Sequence, residues 1–155
     1  MLSAVAHDLK LQFQEFEVAV DQPSRSVAAI FNADSATVVS ALKEGQEEPH
    51  ALSADQKTQI ELSIRLDVLK SREYPDIVFV SESVVDSELG FVVKGNLEIQ
   101  NKARPIIFPV RQADGHFVAD VNIHQPDFGI EPFSTMMGAI RVRPNVLVRL
   151  SIPVS

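Results

Sequence analysis

The feature that most constrains this chain is a two-residue alternation of apolar and polar side chains that recurs through most of its length. That period places one set of side chains on each face of a strand and sits badly on a helix. Leu89, Phe91, Val93, Leu97 and Ile99 mark one face of a segment; Ile106, Phe108 and Val110 mark another, and Phe117, Ala119, Val121 and Ile123 a further one. Near the end of the chain, Ile140, Val142, Val146, Val148, Leu150, Ile152 and Val154 alternate with Arg141, Arg143 and Arg149. Asp114-Gly115 separates two of these stripes and is a strong hairpin signal.

The first strand carries a phase switch. Its apolar residues fall on odd positions at Leu9, Leu11 and Phe13, then on even ones at Phe16, Val18 and Val20. One extra residue near Gln14–Glu15 returns the same face to the core, so a β-bulge is expected there, as in strands that bend where a sheet curls. Asp21-Gln22-Pro23-Ser24 reads as a turn, Ser26 to Ala33 as the returning strand, and Lys43 to His50 as a polar, acidic loop.

One segment breaks the pattern. Ser53-Ala54-Asp55-Gln56 has the spacing of a capping box, which predicts a helix over 54–70. Ile60, Leu62, Ile64, Leu66 and Val68 alternate strictly within it. On a helix they split into two stripes, Ile60/Ile64/Val68 and Leu62/Leu66/Leu69, which suits a helix packed between two surfaces. Tyr74-Pro75 ends the element. The expectation is a mainly β, antiparallel, extended barrel or sandwich of about eight strands with a helical segment near 53–70, in a single domain over 1–155.

Composition narrows the function. The chain has 155 residues and no cysteine, so disulfides, thiolate metal sites and a Cys nucleophile are excluded. A net charge of −7 argues against nucleic acid or anionic lipid as bulk partners. The charge is uneven: residues 1–90 carry seven Lys and Arg against sixteen Asp and Glu, and residues 91–155 carry seven against five. With neither a visible signal peptide nor an apolar run of membrane-spanning length, the chain as written is expected to be soluble and cytoplasmic.

No nucleophile elbow, zinc-binding helix motif, phosphate loop or dinucleotide fingerprint is present. His116, Asp120 and His124 share a strand face, but four residues of strand span about 13–14 Å, so no metal site is expected from them. His7 opens the first strand and is a candidate to point into a cavity; otherwise no catalytic residue is nominated. Nine Phe and no Trp supply large apolar area with almost no polar handle. Phe13, Phe16, Phe79, Phe91, Phe108 and Phe117, with Val93, Val121, Val142 and Val148, either fill the interior of a barrel or line a cavity for one apolar ligand. Arg141, Arg143 and Arg149 form either a solvated outer face or a cationic rim for a phosphate-type headgroup.

Three motifs in order carry a resemblance. Tyr74-Pro75-Asp76-Ile77-Val78-Phe79-Val80-Ser81 resembles the YP-x-I-x-F-x-S signature of the YceI-like family. Gly95-x-Leu97 with Arg104-Pro105-Ile106 is similar to its G-x-L-T-x-H-G-x-T-[KR]-P-[VI] segment, and Asp127-Phe128-Gly129-Ile130 to its D-F-G-I motif. The resemblance implies an extended lipocalin-like β-barrel with a helical segment at one side. It further implies non-enzymatic binding, transport or storage of an elongated apolar ligand, an isoprenoid lipid or quinone-like molecule, in a bacterial and often periplasmic protein, with no cofactor. A homodimer is kept among the expectations for partners.

This chain departs from the family segment where Glu98 and then Gln100-Asn101 replace Thr and then His-Gly; Asn tolerates the left-handed backbone that the turn needs. In the D-F-G-I run, Gly129 is expected at a backbone turn, with Phe128 and Ile130 inward and Asp127 capping or pairing with Arg104. The rival functions are a small barrel enzyme using His7 on a hydrophobic substrate, and a stress-response module working through a partner protein.

Overall fold

The computed structural model describes residues 8–135 and 140–154, and the alternation becomes strand through most of them. In chain order the strands are β1 (Asp8–Phe13), β2 (Phe16–Asp21), β3 (Ser26–Asn32), β4 (Ala36–Lys43), β5 (Gln46–Glu48), β6 (Asp76–Ser87), β7 (Gly90–Ile99), β8 (Lys102–Ala113), β9 (His116–His124), β10 (Ser134–Thr135), β11 (Ile140–Arg141) and β12 (Asn145–Pro153); helix α1 (Ala54–Ser63) lies between β5 and β6. Seven strands make one antiparallel sheet in the order β12-β9-β8-β7-β6-β3-β2, β1, β4 and β5 make a second, and β10 pairs with β11. Among the described residues no ladder joins the edge strands β2 and β12, so the curled sheet is a half-barrel.

The phase switch at Gln14–Glu15 is a corner. The chain bends there between β1 and β2, and its partner bends at the same level through the single turn Ala33–Ser35 between β3 and β4. Gln14 N donates to Ser35 O at 3.2 Å and Asn32 N to Glu15 O at 2.9 Å, so the ladder carries on around the bend. Both strands change sheets at this point, a larger break than the single bulge expected.

The two-residue turns follow their chemistry. Asp114 and Gly115 both take positive φ, 52° and 74°, as a tight hairpin with matched twist requires. Gln100 and Asn101 do the same at 52° and 61°, so the turn survives without glycine. Gln100 Nε2 also donates to Val68 O at 2.6 Å, which ties the turn to the helical segment. The expected loop over Lys43 to His50 needs correcting: Glu44-Gly45, with φ of 52° and 80°, is another tight turn, and the chain returns as β5 against β4.

The capping box forms, with Gln56 N donating to Ser53 Oγ at 3.1 Å and Ser53 N to Gln56 Oε1 at 2.9 Å. After Ser63 the helix widens into a π-turn over Ile64–Val68, closed by Leu69 N donating to Ile64 O at 2.8 Å. The two apolar stripes pack unequally: Ile60 and Ile64 of the first are buried, whereas in the second Leu62 and Leu66 are exposed and Leu69 alone packs. The helical segment reaches the large sheet through Val68 and Leu69 at its end and packs on the edge of β4, where Val38 N donates to Glu61 Oε1 at 2.8 Å and Arg65 Nε to Ala36 O at 2.8 Å. Those side chains occupy backbone groups that a neighbouring strand would otherwise pair.

Two buried clusters result. One sits between helix, β4 and β11 around Val38, Ala41, Ile60, Ile64 and Ile140. The other lies on the concave side of the large sheet around Phe79, Val93, Leu97, Ile99, Phe128 and Ile130, and Val68 and Leu69 pack against both. The last two members of the second cluster come from the turn after β9, Gln125–Phe128, which Gly129 ends at φ 72°. This turn plugs the corner end of the half-barrel. Asp127 does not pair with Arg104: it is exposed, and the ion pairs among the described residues are Lys10–Glu47, Arg25–Asp86 and Arg149–Asp120.

The wall is slotted between β8 and β9. β7 and β8 pair from Gly90–Arg111 down to Ile99–Lys102, but β8 and β9 pair only over Val110–Ala113 and His116–Ala119. Pro105 and Pro109 lie on the unpaired part of β8, at positions of the same parity. Lacking N–H groups, they cannot donate across to β9.

Candidate ligand-binding trough

The ladders place matching side chains in rows across the concave face. Val84, Val93 and Phe108 make one row, Phe91, Val110, Ala119 and Leu150 the next, and Phe117 and Ile152 another. Along β6 and β7 burial falls toward the hairpin turns, whereas the concave residues of β8 and β12 are half-buried from end to end. At the plugged corner end Phe79 is 5% exposed and Val93 2%; toward the hairpin turns Phe91, Val110, Phe117, Leu150 and Ile152 are half-buried. On the edge strand Phe16 is 43% exposed and Val20 45%, although both belong to the concave face. The half-barrel is therefore an apolar trough, filled by its own side chains at the corner end of β6 and β7 and partly open along the rest of its concave face.

Aromatic contacts organise its walls. Phe91 and Phe117 meet edge-on with centroids 5.9 Å apart, and Phe79 packs on Phe108 at 5.4 Å. Phe31 joins Phe13 edge-on at 5.9 Å and Phe16 in a stack at 5.5 Å. The apolar residues expected to line a cavity thus divide. Phe16, Phe91, Phe108, Phe117, Val121 and Val148 stand half-buried or exposed on the concave face, Phe79 and Val93 are packed into the core, and Phe13 sits on β1 at the corner. Val142 lies off the sheet, between β11 and β12, where its N–H donates to Phe133 O at 2.9 Å. His7 lies outside the described residues.

The three arginines considered for a headgroup do not converge on the open end. Arg149 projects from the convex face of β12 and donates from Nε to Asp120 Oδ1 at 2.7 Å and from Nη2 to Oδ2 at 3.3 Å. Arg141 is on β11, and Arg143 is near the start of β12, where its carbonyl accepts from Gln125 Nε2 at 2.9 Å, at the plugged end. The cation at the open end is Arg25, from the turn between β2 and β3. Its guanidinium is bonded to the Asp86 carboxylate and stands 5.8 Å from the Phe91 ring centroid. Sequence reasoning missed this pair, because nothing local links two residues on separate hairpins.

Hydrogen bonds from Arg149 hold the Asp120 carboxyl below the ordinary carboxylate range; partial burial opposes them, and the charges of Arg149 and Arg111 add to them. A carboxyl lowered in the folded state stabilises the fold above its unfolded pKa, and the contribution is lost as pH falls through the lowered value. The pair is solvent-exposed, so the stability effect is small. The clearer expectation is that Arg149→Ala moves the Asp120 titration, followed by carboxyl-carbon NMR, back up toward the ordinary range; no movement would mean the pair does not hold in solution. His116 Nδ1 lies 3.0 Å from Asp114 O and His124 Nδ1 2.6 Å from Asn145 Oδ1, so these two side chains and Asp120 have separate partners.

A recess of about 210 Å³ lies apart from the trough, lined by Gln56, Gln59, Ile60, Ser63, Phe133 and Thr135. Among the described residues no helix is long and apolar enough to cross a membrane, and no three His, Asp or Glu side chains are grouped as metal ligands.

A curled antiparallel sheet with one plugged end and an open apolar concave face defines a lipocalin-like half-barrel. Within that class the chain belongs to the YceI-like family, whose domain model matches residues 3–154. Solved structures agree on the fold. The YceI protein of Campylobacter jejuni, in a crystal form with large solvent channels for nanotechnology applications, is 14% identical over 95% of this chain and 85% of that one, with a TM-score of 0.58. BcnA of Burkholderia cenocepacia is 18% identical over 92% and 82%, with a TM-score of 0.54. No curated protein matches the chain.

Proposed function

We propose that this protein is a non-enzymatic binder or carrier of an elongated apolar ligand, an isoprenoid lipid or quinone-like molecule, held along the concave face of the half-barrel. The observation that carries the reading is a continuous apolar concave face that its own side chains seal only at the corner end of β6 and β7, while Phe91, Phe108, Val110, Phe117, Val148 and Leu150 stand half-buried along the rest. Covering them recovers about 25 cal/mol per Å² of apolar surface, and a flexible hydrocarbon chain matches a long groove with few polar groups. Membership of the YceI-like family supports it, and the trough walls offer hydrocarbon where an enzyme would need paired acids and bases.

Organic extraction of the purified protein followed by mass spectrometry is expected to yield a long-chain apolar compound. Phe117→Asp, which sets a charge among Phe91, Val110 and Ile152, is expected to lose that compound while keeping the wild-type circular dichroism spectrum. Extracts empty of apolar compounds, together with no uptake of an added polyprenol or quinone, would overturn the reading.

A further inference from the structure

Three turns surround the open end of the trough: Gln22–Arg25 between β2 and β3, Glu88-Leu89 between β6 and β7, and Asp114-Gly115 between β8 and β9. The charged side chains on and beside them are mostly acidic: Asp21, Asp86, Glu88 and Asp114. Ser24 Oγ donates to Asp21 Oδ2 at 2.7 Å, which leaves that carboxylate its charge. Arg25 is the cation that reaches over the concave side, and it does so already bonded to Asp86. Asp86 lies opposite Phe91 in the β6–β7 ladder, one pair from the turn, and so shares the concave face. Arg111, the other cation near this end, has the opposite parity to Val110 and stands on the convex side. The end of the trough that is open to a headgroup thus presents a neutralised arginine inside an acidic ring.

We propose that the trough selects apolar ligands with an uncharged headgroup, such as a quinone ring or an alcohol, and disfavours phosphate- and carboxylate-headed ones, with Asp86 as the residue that sets this selectivity. The proposal rests on the reading of the trough as the ligand site. A phosphate binds through forked donors, and here one Nη of the arginine over the trough is already bonded to a carboxylate that also repels the incoming anion. Selectivity of this kind comes from the repulsive element as much as from the attractive one.

The test is competitive fluorescence titration at low salt with a polyprenol and its monophosphate of equal chain length. For exposed charges at contact distance the expected preference of the wild type for the alcohol is about five- to tenfold. Asp86→Asn is expected to raise the phosphate-to-alcohol affinity ratio by about the same factor, and adding Arg25→Gln to that variant, or raising the salt, is expected to abolish the rise. A wild type that binds the monophosphate as tightly as the alcohol overturns the selectivity, as does a ratio unmoved by Asp86→Asn. Failure of both probes to bind overturns the trough reading itself, so the two failures are distinguishable.

Discussion

Phe128→Ala is expected to destabilise the protein by about 3–5 kcal/mol, the range for removing a buried aromatic ring from a core that cannot collapse around the gap. Phe128 is 2% exposed. It is carried on a four-residue turn, Gln125–Phe128, whose position is set from outside, as Gln125 donates from N to Pro144 O at 2.8 Å and from Nε2 to Arg143 O at 2.9 Å, and which Gly129 N closes internally on Pro126 O at 3.0 Å. With Ile130, the ring closes the corner end of the half-barrel against Leu97 and Ile99. Because backbone bonds and a glycine at φ 72° hold the turn, neighbouring side chains have little freedom to move into the space left. Urea unfolding is the measurement, read as a lower midpoint at an unchanged slope. A loss under about 1 kcal/mol would mean that the plug is not packed as described.

Gly95→Ala is the second large effect, and its cause is the opposite one, too much volume. A Cβ at this position would stand 2.3 Å from Val80 O, 2.7 Å from the Phe79 ring and 2.8 Å from Ser81 Cα. Two of those atoms are backbone, so a side-chain rotation cannot relieve the clash. The close approach follows from the register shift between Ser81 and Ser83 on β6, directly opposite Gly95, where Ser81 Oγ also accepts from Val27 N at 2.8 Å. Overpacking of this kind costs about 1–3 kcal/mol. The same unfolding assay applies, and Phe79→Leu combined with Gly95→Ala is expected to recover only part of the loss, because it frees the ring contact and leaves the backbone ones. Full recovery would place the strain in the ring alone.

Much of the fold was legible because its determinants are local. Alternating side chains specify strands and their inward faces, and the inward sets read from β7, β8, β9 and β12 are the concave rows of the sheet. The capping box at Ser53 and the left-handed turn at Asp114-Gly115 are contacts among neighbours in sequence. The phase switch at Gln14–Glu15 marked the corner. Less legible were features whose cause lies elsewhere in the chain. β5 was hidden because three polar residues carry no stripe, and its strand exists only because the edge of β4 receives it. The exposure of Leu62 and Leu66 was hidden because a helical wheel counts stripes without counting surfaces to pack them on.

The site divides in the same way. Which residues face inward was readable from their period; which of them are open was not, because burial depends on the plug that a turn thirty residues after Leu97 brings to one end only. Phe79 and Phe91 look alike in sequence, yet one is sealed and the other borders the open trough. The charge at that opening was equally out of reach, since the Arg25–Asp86 pair joins hairpins sixty-one residues apart. By itself the sequence determined an antiparallel β fold, its inward faces, its turns and its helix start, all set by interactions between near neighbours. Only the tertiary structure decided that the sheet stays open between β2 and β12, where it is plugged, and which charges meet at its rim, because those depend on contacts whose energies appear only once distant segments are brought together.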